Sequence, residues 1–132
     1  VMNEYALNRE QSRAFRIVVD RLADHRVNDP LRMDLGGMGG TGKSQVLKAL
    51  MTYFERRGEL HRFEVLAPTG SAACLVGGST YHSVLCIGRG EQLSDSKCAK
   101  IRERLGRVDL IFIDEVSMLS CMDLFRISSY LC

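Results

Sequence analysis

The segment GGMGGTGKS, residues 36–44, carries the residue types that hold phosphate groups in proteins. Gly37, Gly42, Lys43 and Ser44 fit the P-loop pattern G-x-x-x-x-G-K-[ST]. In such a loop, consecutive backbone N–H groups surround an anion, and the helix that follows adds favourable partial charge. The lysine reaches the β- and γ-phosphates of a nucleotide, and the serine hydroxyl is a ligand of Mg²⁺. The predicted cofactors are therefore ATP and Mg²⁺, and the predicted binding residues of the loop are Gly37, Gly39, Gly40, Thr41, Gly42, Lys43 and Ser44.

The same glycines permit a second interpretation. Gly37, Gly39 and Gly42 also fit G-x-G-x-x-G, the dinucleotide-binding fingerprint. That fingerprint requires an acidic residue about 20 residues further on, at the end of the next strand, to bind a ribose. The next predicted strand ends in Ala67-Pro68-Thr69 and has no acid there. Because the fingerprint also leaves Lys43 unexplained, the P-loop interpretation is favoured.

A second pair of residues that could take part in catalysis is Asp114 and Glu115, which directly follow the apolar run 108–113. An apolar strand that ends in an aspartate is typical of the Walker-B arrangement, in which the aspartate holds Mg²⁺, usually through water. A neighbouring carboxylate can orient and deprotonate an attacking water. We therefore expect Ser44 and Asp114 at the metal, and Glu115 and Lys43 as the catalytic residues.

Strands that alternate with helices must position these residues. A helix capped by Asn8 and Gln11 comes first. Apolar residues at helical spacing predict another helix after the glycines of the loop. The predicted strands are 31–35, 63–67 and 108–113. This alternation predicts an α/β fold with a parallel sheet, in which ligands bind at the carboxyl ends of the strands. The P-loop, Pro68-Thr69-Gly70 and the acid pair each follow a predicted strand, so they are expected to meet at one crevice.

Composition narrows the class of protein. The chain has 132 residues, 45% of them hydrophobic and 26% charged, as in an ordinary globular domain. A net charge of +2 does not indicate a strong polyanion binder and leaves room for a local basic groove. No apolar run approaches the roughly 18 residues of a membrane span, so no membrane partner is expected. The five cysteines lack C-x-x-C or zinc-ligand spacing and are predicted to be reduced and mostly buried.

Five motifs, taken in order, resemble superfamily 1 DNA helicases, and in particular the petite-integration-frequency (Pif) helicases with their Helitron-type relatives. The motifs are LNREQ (7–11), GGMGGTGKS (36–44), APTGSAA (67–73), STYHSVL (79–85) and IFIDEVSML (111–119). The resemblance covers nearly the whole chain. It implies a RecA-like P-loop NTPase fold, a parallel sheet with helices on both faces, and ATP-driven 5′-to-3′ movement on single-stranded DNA.

The resemblance also implies roles for individual residues. Gln11 would read the adenine edge, although a purely helix-capping role fits the sequence equally well. Thr69 and Gly70 correspond to one motif that touches the DNA backbone, and Thr80 and His82 to the next. The implied partners are single-stranded DNA, forked duplex DNA and a second RecA-like lobe. The nucleus is the default compartment, with the mitochondrion as the alternative.

We interpret residues 1–30 as an N-terminal helix with a Q-motif-like segment, and residues 31–132 as the front part of one RecA-like lobe. This lobe is expected to be a fragment with an exposed sheet edge, because a strand usually inserted between the P-loop strand and the Walker-B strand would follow residue 132. Two other functions remain open from the sequence. One is a P-loop phosphotransferase, and the other is a non-catalytic nucleotide-binding remnant of a transposon.

Overall fold

The computed structural model of the protein describes residues 1–24, 29–38, 42–85 and 94–131. These residues form two compact units, Val1–Leu60 and His61–Cys132. The helices and strands are, in chain order, α1 (Arg9–Ala23), α2 (Lys43–Arg56), β1 (Phe63–Ala67), α3 (Gly70–Val76), β2 (Ser79–Thr80), α4 (Tyr81–Leu85), α5 (Asp95–Leu105), β3 (Leu110–Ile113) and α6 (Cys121–Leu131), with short 3-10 turns over Leu60–Arg62 and Val116–Met118. The predicted α/β class is confirmed, and the predicted division after residue 30 stays a prediction.

The first unit is a pair of packed helices, α1 and α2. The predicted capping box is present, because the Asn8 side chain accepts from the Gln11 N–H at 2.8 Å and the Gln11 side chain accepts from the Asn8 N–H at 2.9 Å. Phe15 of α1 meets Tyr53 of α2 edge to face at 5.8 Å. The buried apolar residues of the two helices are Ala14, Phe15, Val18, Val46, Leu47, Ala49, Leu50 and Phe54.

The helix α2 ends just before Gly58. Gly58 has φ of +67°, which a residue without a side chain adopts easily. Its N–H donates to Glu55 O at 2.9 Å, and the N–H of Glu59 donates to Phe54 O at 2.9 Å. These two bonds form a Schellman motif, which satisfies carbonyls that the helix would leave without partners.

The predicted strand over residues 31–35 is wrong. Residues 31–38 carry no strand assignment, and Leu31 and Met33 are 37% and 40% exposed. A strand needs a neighbouring strand for its backbone hydrogen bonds, and a buried parallel strand is apolar on both faces. Arg32 and Asp34 interrupt that pattern here.

The second unit is built on a parallel sheet of three strands in the order β2-β1-β3. Central β1 is buried, with Leu66 and Ala67 both at 0% exposure. Ala67 pairs with Thr80, and Leu66 pairs with Ile113, so the carboxyl ends of all three strands lie at the same edge. Leu66 also belongs to the core cluster of this unit, whose other buried members are Tyr81, Val84, Leu85, Ile101 and Ile127.

Gly78 allows β2 to approach β1 closely. A Cβ atom at residue 78 would lie 2.5 Å from the Val65 carbonyl oxygen and 2.9 Å from the Val65 Cβ. No side chain fits at such distances, so a residue without one is required where α3 ends and β2 begins.

The strand β3 pairs with β1 on one side, and among the described residues no strand pairs with its other side. All four of its residues are half-buried. An unpaired sheet edge was expected, and the described part of the chain agrees with that expectation. Of the cysteines in the described ranges, Cys74 and Cys121 are exposed free thiols, so the prediction that most cysteines are buried is wrong for these two. None of the helices in the described ranges combines the length and apolarity that a membrane crossing requires.

Candidate functional site

The candidate phosphate-binding loop leads directly into α2. Gly42 has φ of +81° and precedes the first helical residue, Lys43. The N–H groups in the first turn of a helix have no partner within the helix, and they carry partial positive charge. That turn of α2 contains no acidic residue to neutralise the charge. The arrangement therefore fits an anion such as a phosphate. Gly39, Gly40 and Thr41 lie outside the described residues, and their backbone contacts stay predictions.

The Lys43 ammonium is folded back onto its own loop. Its Nζ donates to Gly37 O at 2.8 Å and to Met38 O at 3.0 Å. Gly37 itself has φ of +150°, a conformation that favours glycine. The neighbouring hydroxyl, that of Ser44, stands in the first turn of α2 and is exposed. The side chains of Lys43 and Ser44 thus both belong to the first turn of α2, and the lysine is held there by the carbonyl groups of Gly37 and Met38.

Gln11 joins the loop from α1. Its Nε2 donates to Gly42 O at 3.2 Å while its Oε1 accepts from the Asn8 N–H. An added Cβ atom on Gly42 would lie 2.3 Å from Gln11 Nε2, so the amide is packed against the glycine. The structure therefore brings the predicted adenine-binding residue into contact with the predicted phosphate-binding loop.

The acid pair lies in the second unit, at the carboxyl end of β3. The Asp114 N–H donates to Leu66 O at 2.8 Å, which extends the pairing of β3 with β1 by one bond. Glu115 then adopts φ of +52° and ψ of +45°, in the left-handed region. A non-glycine residue in that region costs about 1–2 kcal/mol. Strain of this kind is retained where the surrounding structure imposes it, and it is frequent at functional sites.

The two carboxylates are available for chemistry. Within the described ranges, the side chains of Asp114 and Glu115 make no hydrogen bond or ion pair with the protein. Asp114 is half-buried and Glu115 is exposed. The described residues also contain no cluster of three or more His, Cys, Asp or Glu side chains that could hold a metal.

The four predicted DNA-contacting residues lie at this same edge of the second unit. Thr69 and Gly70 follow β1, and Thr80 and His82 surround the end of β2, which pairs with the end of β1. The Thr69 hydroxyl accepts from the Ala72 N–H at 3.2 Å, and the Thr80 hydroxyl accepts from the Ser83 N–H at 3.3 Å. Both threonines therefore cap the starts of short helices, a structural role that the motifs alone do not predict.

His82 is exposed and stacks on buried Tyr81, with ring centroids 4.1 Å apart. Burial raises the pKa of the Tyr81 phenol, and the nearby Asp123 carboxylate raises it further. The pKa of Asp123 is itself lowered, chiefly by a hydrogen bond from the Ser120 hydroxyl. A supported aromatic face next to the end of β2 suits stacking on a nucleic-acid base. No pattern in the sequence points to Asp123.

Comparisons with known proteins agree with these motifs. The family model of PIF1-like helicases matches residues 6–127. The chain is 35% identical over 121 residues to "ATP-dependent DNA helicase PIF4" of Trypanosoma brucei brucei, which is 86% of this chain and 13% of that protein. It is 36% identical over 95 residues to "ATP-dependent DNA helicase PIF1" of Homo sapiens, covering 67% of this chain and 14% of that protein.

A bacterial protein is similar as well. The chain is 35% identical over 91 residues to "ATP-dependent DNA helicase Pif1" of Bdellovibrio bacteriovorus, which is 64% of this chain and 20% of that protein. The chain thus spans a fifth or less of the length of these three curated relatives.

Proposed function

The chain belongs to the PIF1-like helicase family, and from this premise we propose that the protein is an ATP-dependent DNA helicase. It would bind Mg-ATP, hydrolyse the ATP, move along single-stranded DNA and separate duplex DNA at forks. One observation carries the proposal. The Walker-B-like acids and both candidate DNA segments lie at one edge of one sheet, where the Asp114 N–H bonds to Leu66 O and Thr80 pairs with Ala67. A change at the acids can therefore reach the DNA-facing turns through β1.

The nucleotide would be held by the P-loop and by the first turn of α2. Backbone N–H groups of the loop, including those of Gly37, Gly39, Gly40, Thr41 and Gly42, would surround its phosphates. The Lys43 ammonium would exchange the carbonyls of Gly37 and Met38 for phosphate oxygens, which are stronger acceptors because they are charged. In the transition state the same ammonium would stabilise the charge on the transferred group.

The two predicted metal-binding residues, Ser44 and Asp114, each carry an oxygen donor of the kind that Mg²⁺ prefers. Ser44 offers a hydroxyl, and Asp114 offers a carboxylate that makes no hydrogen bond or ion pair within the described ranges. Mg²⁺ prefers oxygen ligands and keeps several waters and phosphate oxygens in its shell. When bound, the ion would neutralise charge on the β- and γ-phosphates. Glu115 would accept the proton of the attacking water, because its carboxylate is exposed and no side chain or backbone group in the described part of the chain competes for it.

The DNA would run over the turns that follow β1 and β2. Gly70 and His82 are exposed there, and the hydroxyls of Thr69 and Thr80 are already in use as helix caps. Contact with phosphates through the exposed backbone of the Thr69 turn is therefore favoured over contact through its hydroxyl. His82, supported by Tyr81, would stack on a base.

The finer features of the proposal come from the resemblance. They are 5′-to-3′ polarity, a second RecA-like lobe that completes the ATP site, and work in the nucleus or the mitochondrion on DNA repair, recombination and telomere maintenance. The curated relatives are named as ATP-dependent DNA helicases and are much longer than this chain.

Hydrolysis of ATP by the full-length protein, measured with and without single-stranded DNA, tests the proposal. We expect strong stimulation by the strand and its loss in Glu115→Gln. A rate of hydrolysis that does not change when DNA is added would rule out the proposed helicase function. Transfer of phosphate to a small-molecule acceptor would favour a phosphotransferase, and the absence of nucleotide binding would favour a non-catalytic remnant.

A further inference from the structure

We infer that Arg104 of α5 is a positioning residue for the DNA-contacting segment that starts at β2, and that it acts without touching the DNA. The inference rests on the proposed function, since it concerns the same DNA-contacting turns. The strand β2 consists of Ser79 and Thr80 alone, and it pairs with β1 at only those two residues. Because the backbone pairing is so short, side-chain contacts contribute much of what holds this strand in place.

One nitrogen of the Arg104 guanidinium joins α5 to both strands. Its Nη2 donates to Ser79 Oγ at 2.9 Å and to Glu64 Oε1 at 3.3 Å. Glu64 lies in the central strand β1, and its side chain is 19% exposed, against 45% for Arg104. The guanidinium carries several N–H donors in a rigid plane, which suits it to hold two acceptors at once. It therefore fixes Ser79 relative to the best-buried strand of the unit.

The sheet and the helix place these side chains next to each other. Residues two apart in a strand point to the same face, so Glu64 and Leu66 share a face. Ser79 pairs with Leu66 and lies on that face as well. Leu66 belongs to the same core cluster as Ile101 of α5. Arg104 follows Ile101 by three positions, which makes the two neighbours on the helix surface. The helix α5 thus covers this face and brings the guanidinium to β2.

The bridge stands back from the proposed DNA contact. Ser79 pairs with Leu66, one position before the carboxyl end of β1, whereas Thr80 lies at that end. The Thr80 hydroxyl accepts from the Ser83 N–H and so caps α4, the helix that carries His82. A shift of Ser79 would therefore pass along the backbone to both predicted DNA-contacting residues. The guanidinium consequently acts on the DNA through the position of β2.

The test is binding of a fluorescent oligothymidylate to the full-length protein, with DNA-stimulated ATP hydrolysis measured in parallel. In Arg104→Ala, we expect DNA affinity to fall about two- to fivefold, because fewer molecules hold the turn in place once one exposed charged bond is lost. Ser79→Ala removes the acceptor without changing the charge, and it should show the same fall. The DNA concentration for half-maximal stimulation should rise in both variants, with the maximal rate retained. The double variant should lose no more than either single one, since both break the same bond.

The dependence on salt separates positioning from direct contact with DNA. A positioning residue leaves the number of phosphate contacts unchanged, so the slope of log affinity against log salt should equal that of the wild type in Arg104→Ala. A guanidinium that binds a phosphate itself would make the slope shallower by about 0.7 when it is removed. That result would overturn the inference.

Arg62→Ala is the matched control. Arg62 forms an ion pair with Asp109 beside the amino ends of β1 and β3, at the opposite edge of the same sheet. The variant therefore loses the same charge and the same kind of contact, away from the proposed DNA contact. We expect its DNA affinity to be like that of the wild type. An equal loss in Arg62→Ala would overturn the inference, since the loss of any surface cation would then explain the effect.

The remaining outcomes distinguish this inference from the proposed function. If Arg104→Ala and Ser79→Ala both bind DNA like the wild type, the inference is overturned and the helicase proposal stands. If Arg104→Ala does not fold, Ser79→Ala decides alone, because it removes only one hydroxyl group. A wild-type protein that binds no single-stranded DNA would remove the proposed function, and the inference with it.

Discussion

In the first unit, the side chains of Lys43 and Gln11 hydrogen-bond to carbonyls of the loop that they are proposed to serve. In the second unit, the side chains of Asp114 and Glu115 have no such partner in the described chain, and the backbone alone places them. In the proposed site, the Lys43 ammonium must exchange the carbonyls of Gly37 and Met38 for phosphate oxygens. At the sheet edge, the carboxylates of Asp114 and Glu115 have no described partner to give up, but the backbone of Glu115 is strained.

Because of this difference, we expect side-chain substitutions to have different effects in the two regions. Where side chains hold one another, removing one of them alters the shape of the site and therefore ligand binding. Where the backbone holds the site, a side chain can be changed with little effect on shape, and the chemistry alone is lost. The largest expected effects follow from this contrast.

Lys43→Ala and Glu115→Gln should separate binding from hydrolysis in the full-length protein. Loss of the ammonium should weaken ATP binding and lower the rate of hydrolysis by about 10²–10³-fold, because phosphate charge is left without its counter-charge. Loss of the Glu115 carboxylate, the proposed general base, should lower the rate by about 10²–10⁴-fold with ATP affinity retained. Titration with a fluorescent ATP analogue, beside steady-state hydrolysis, measures both. Equal loss of binding in the two variants would contradict the contrast between the regions.

Gly78→Ala tests how closely the backbone framework of the second unit is packed. The added methyl group would meet the Val65 carbonyl at 2.5 Å, so β2 or β1 must shift, at a cost of about 1–3 kcal/mol in the free energy of unfolding. Gly70→Ala is the control, because a Cβ atom there has nothing within 4 Å and its φ is not positive. Urea denaturation should rank the Gly78 variant well below the Gly70 variant. Similar stabilities would show that this approach of the strands is not tight.

The sequence predicted those features whose causes are local. The capping box depends on Asn8 and Gln11, which are three positions apart, and it is confirmed. The predicted strand 31–35 failed because a strand exists only through its partner, which the local pattern of apolar residues cannot supply.

The same limit applies to the site. The sequence motifs identified Lys43, Ser44, Asp114 and Glu115 as candidate site residues, and the comparisons confirm the family. The contact of Gln11 with Gly42, the left-handed backbone of Glu115 and the need for glycine at position 78 arise from approaches between distant segments or from the path of the backbone. No spacing rule encodes these features, so only coordinates could reveal them.

Ser120→Ala tests a smaller support of the second unit. The Ser120 hydroxyl accepts from the Asp123 N–H at 3.1 Å and donates to its carboxylate at 2.7 Å, so it caps the start of α6. Its loss should cost about 1 kcal/mol of unfolding free energy at pH 7. Ser117→Ala, at an exposed serine that makes no side-chain hydrogen bond in the described chain, is the control and should be neutral.

The effect of Ser120→Ala should also depend on pH. The hydroxyl lowers the pKa of Asp123 in the folded state, so its stabilisation is fully present above the ordinary carboxyl pKa of about 4. It is lost as the pH falls through the lower, folded-state pKa. The stability difference between the wild type and Ser120→Ala should therefore be larger at pH 7 than at strongly acidic pH. A difference that grows on acidification would refute the assigned hydrogen bond.

The smallest expected effect returns to the strained acid of the sheet edge. Asparagine adopts the left-handed conformation more readily than other non-glycine residues, whereas glutamine does not share this preference. Glu115→Asn and Glu115→Gln both replace the carboxylate with an amide and should both lose hydrolysis. Only the asparagine variant should relieve the backbone at φ of +52°, and it should be more stable by about 0.5–1 kcal/mol. Thermal denaturation of the two variants side by side measures the difference. If the two variants have the same melting temperature, the backbone at this position carries no strain. The description of the sheet edge as a site that rests on a strained backbone would then be wrong.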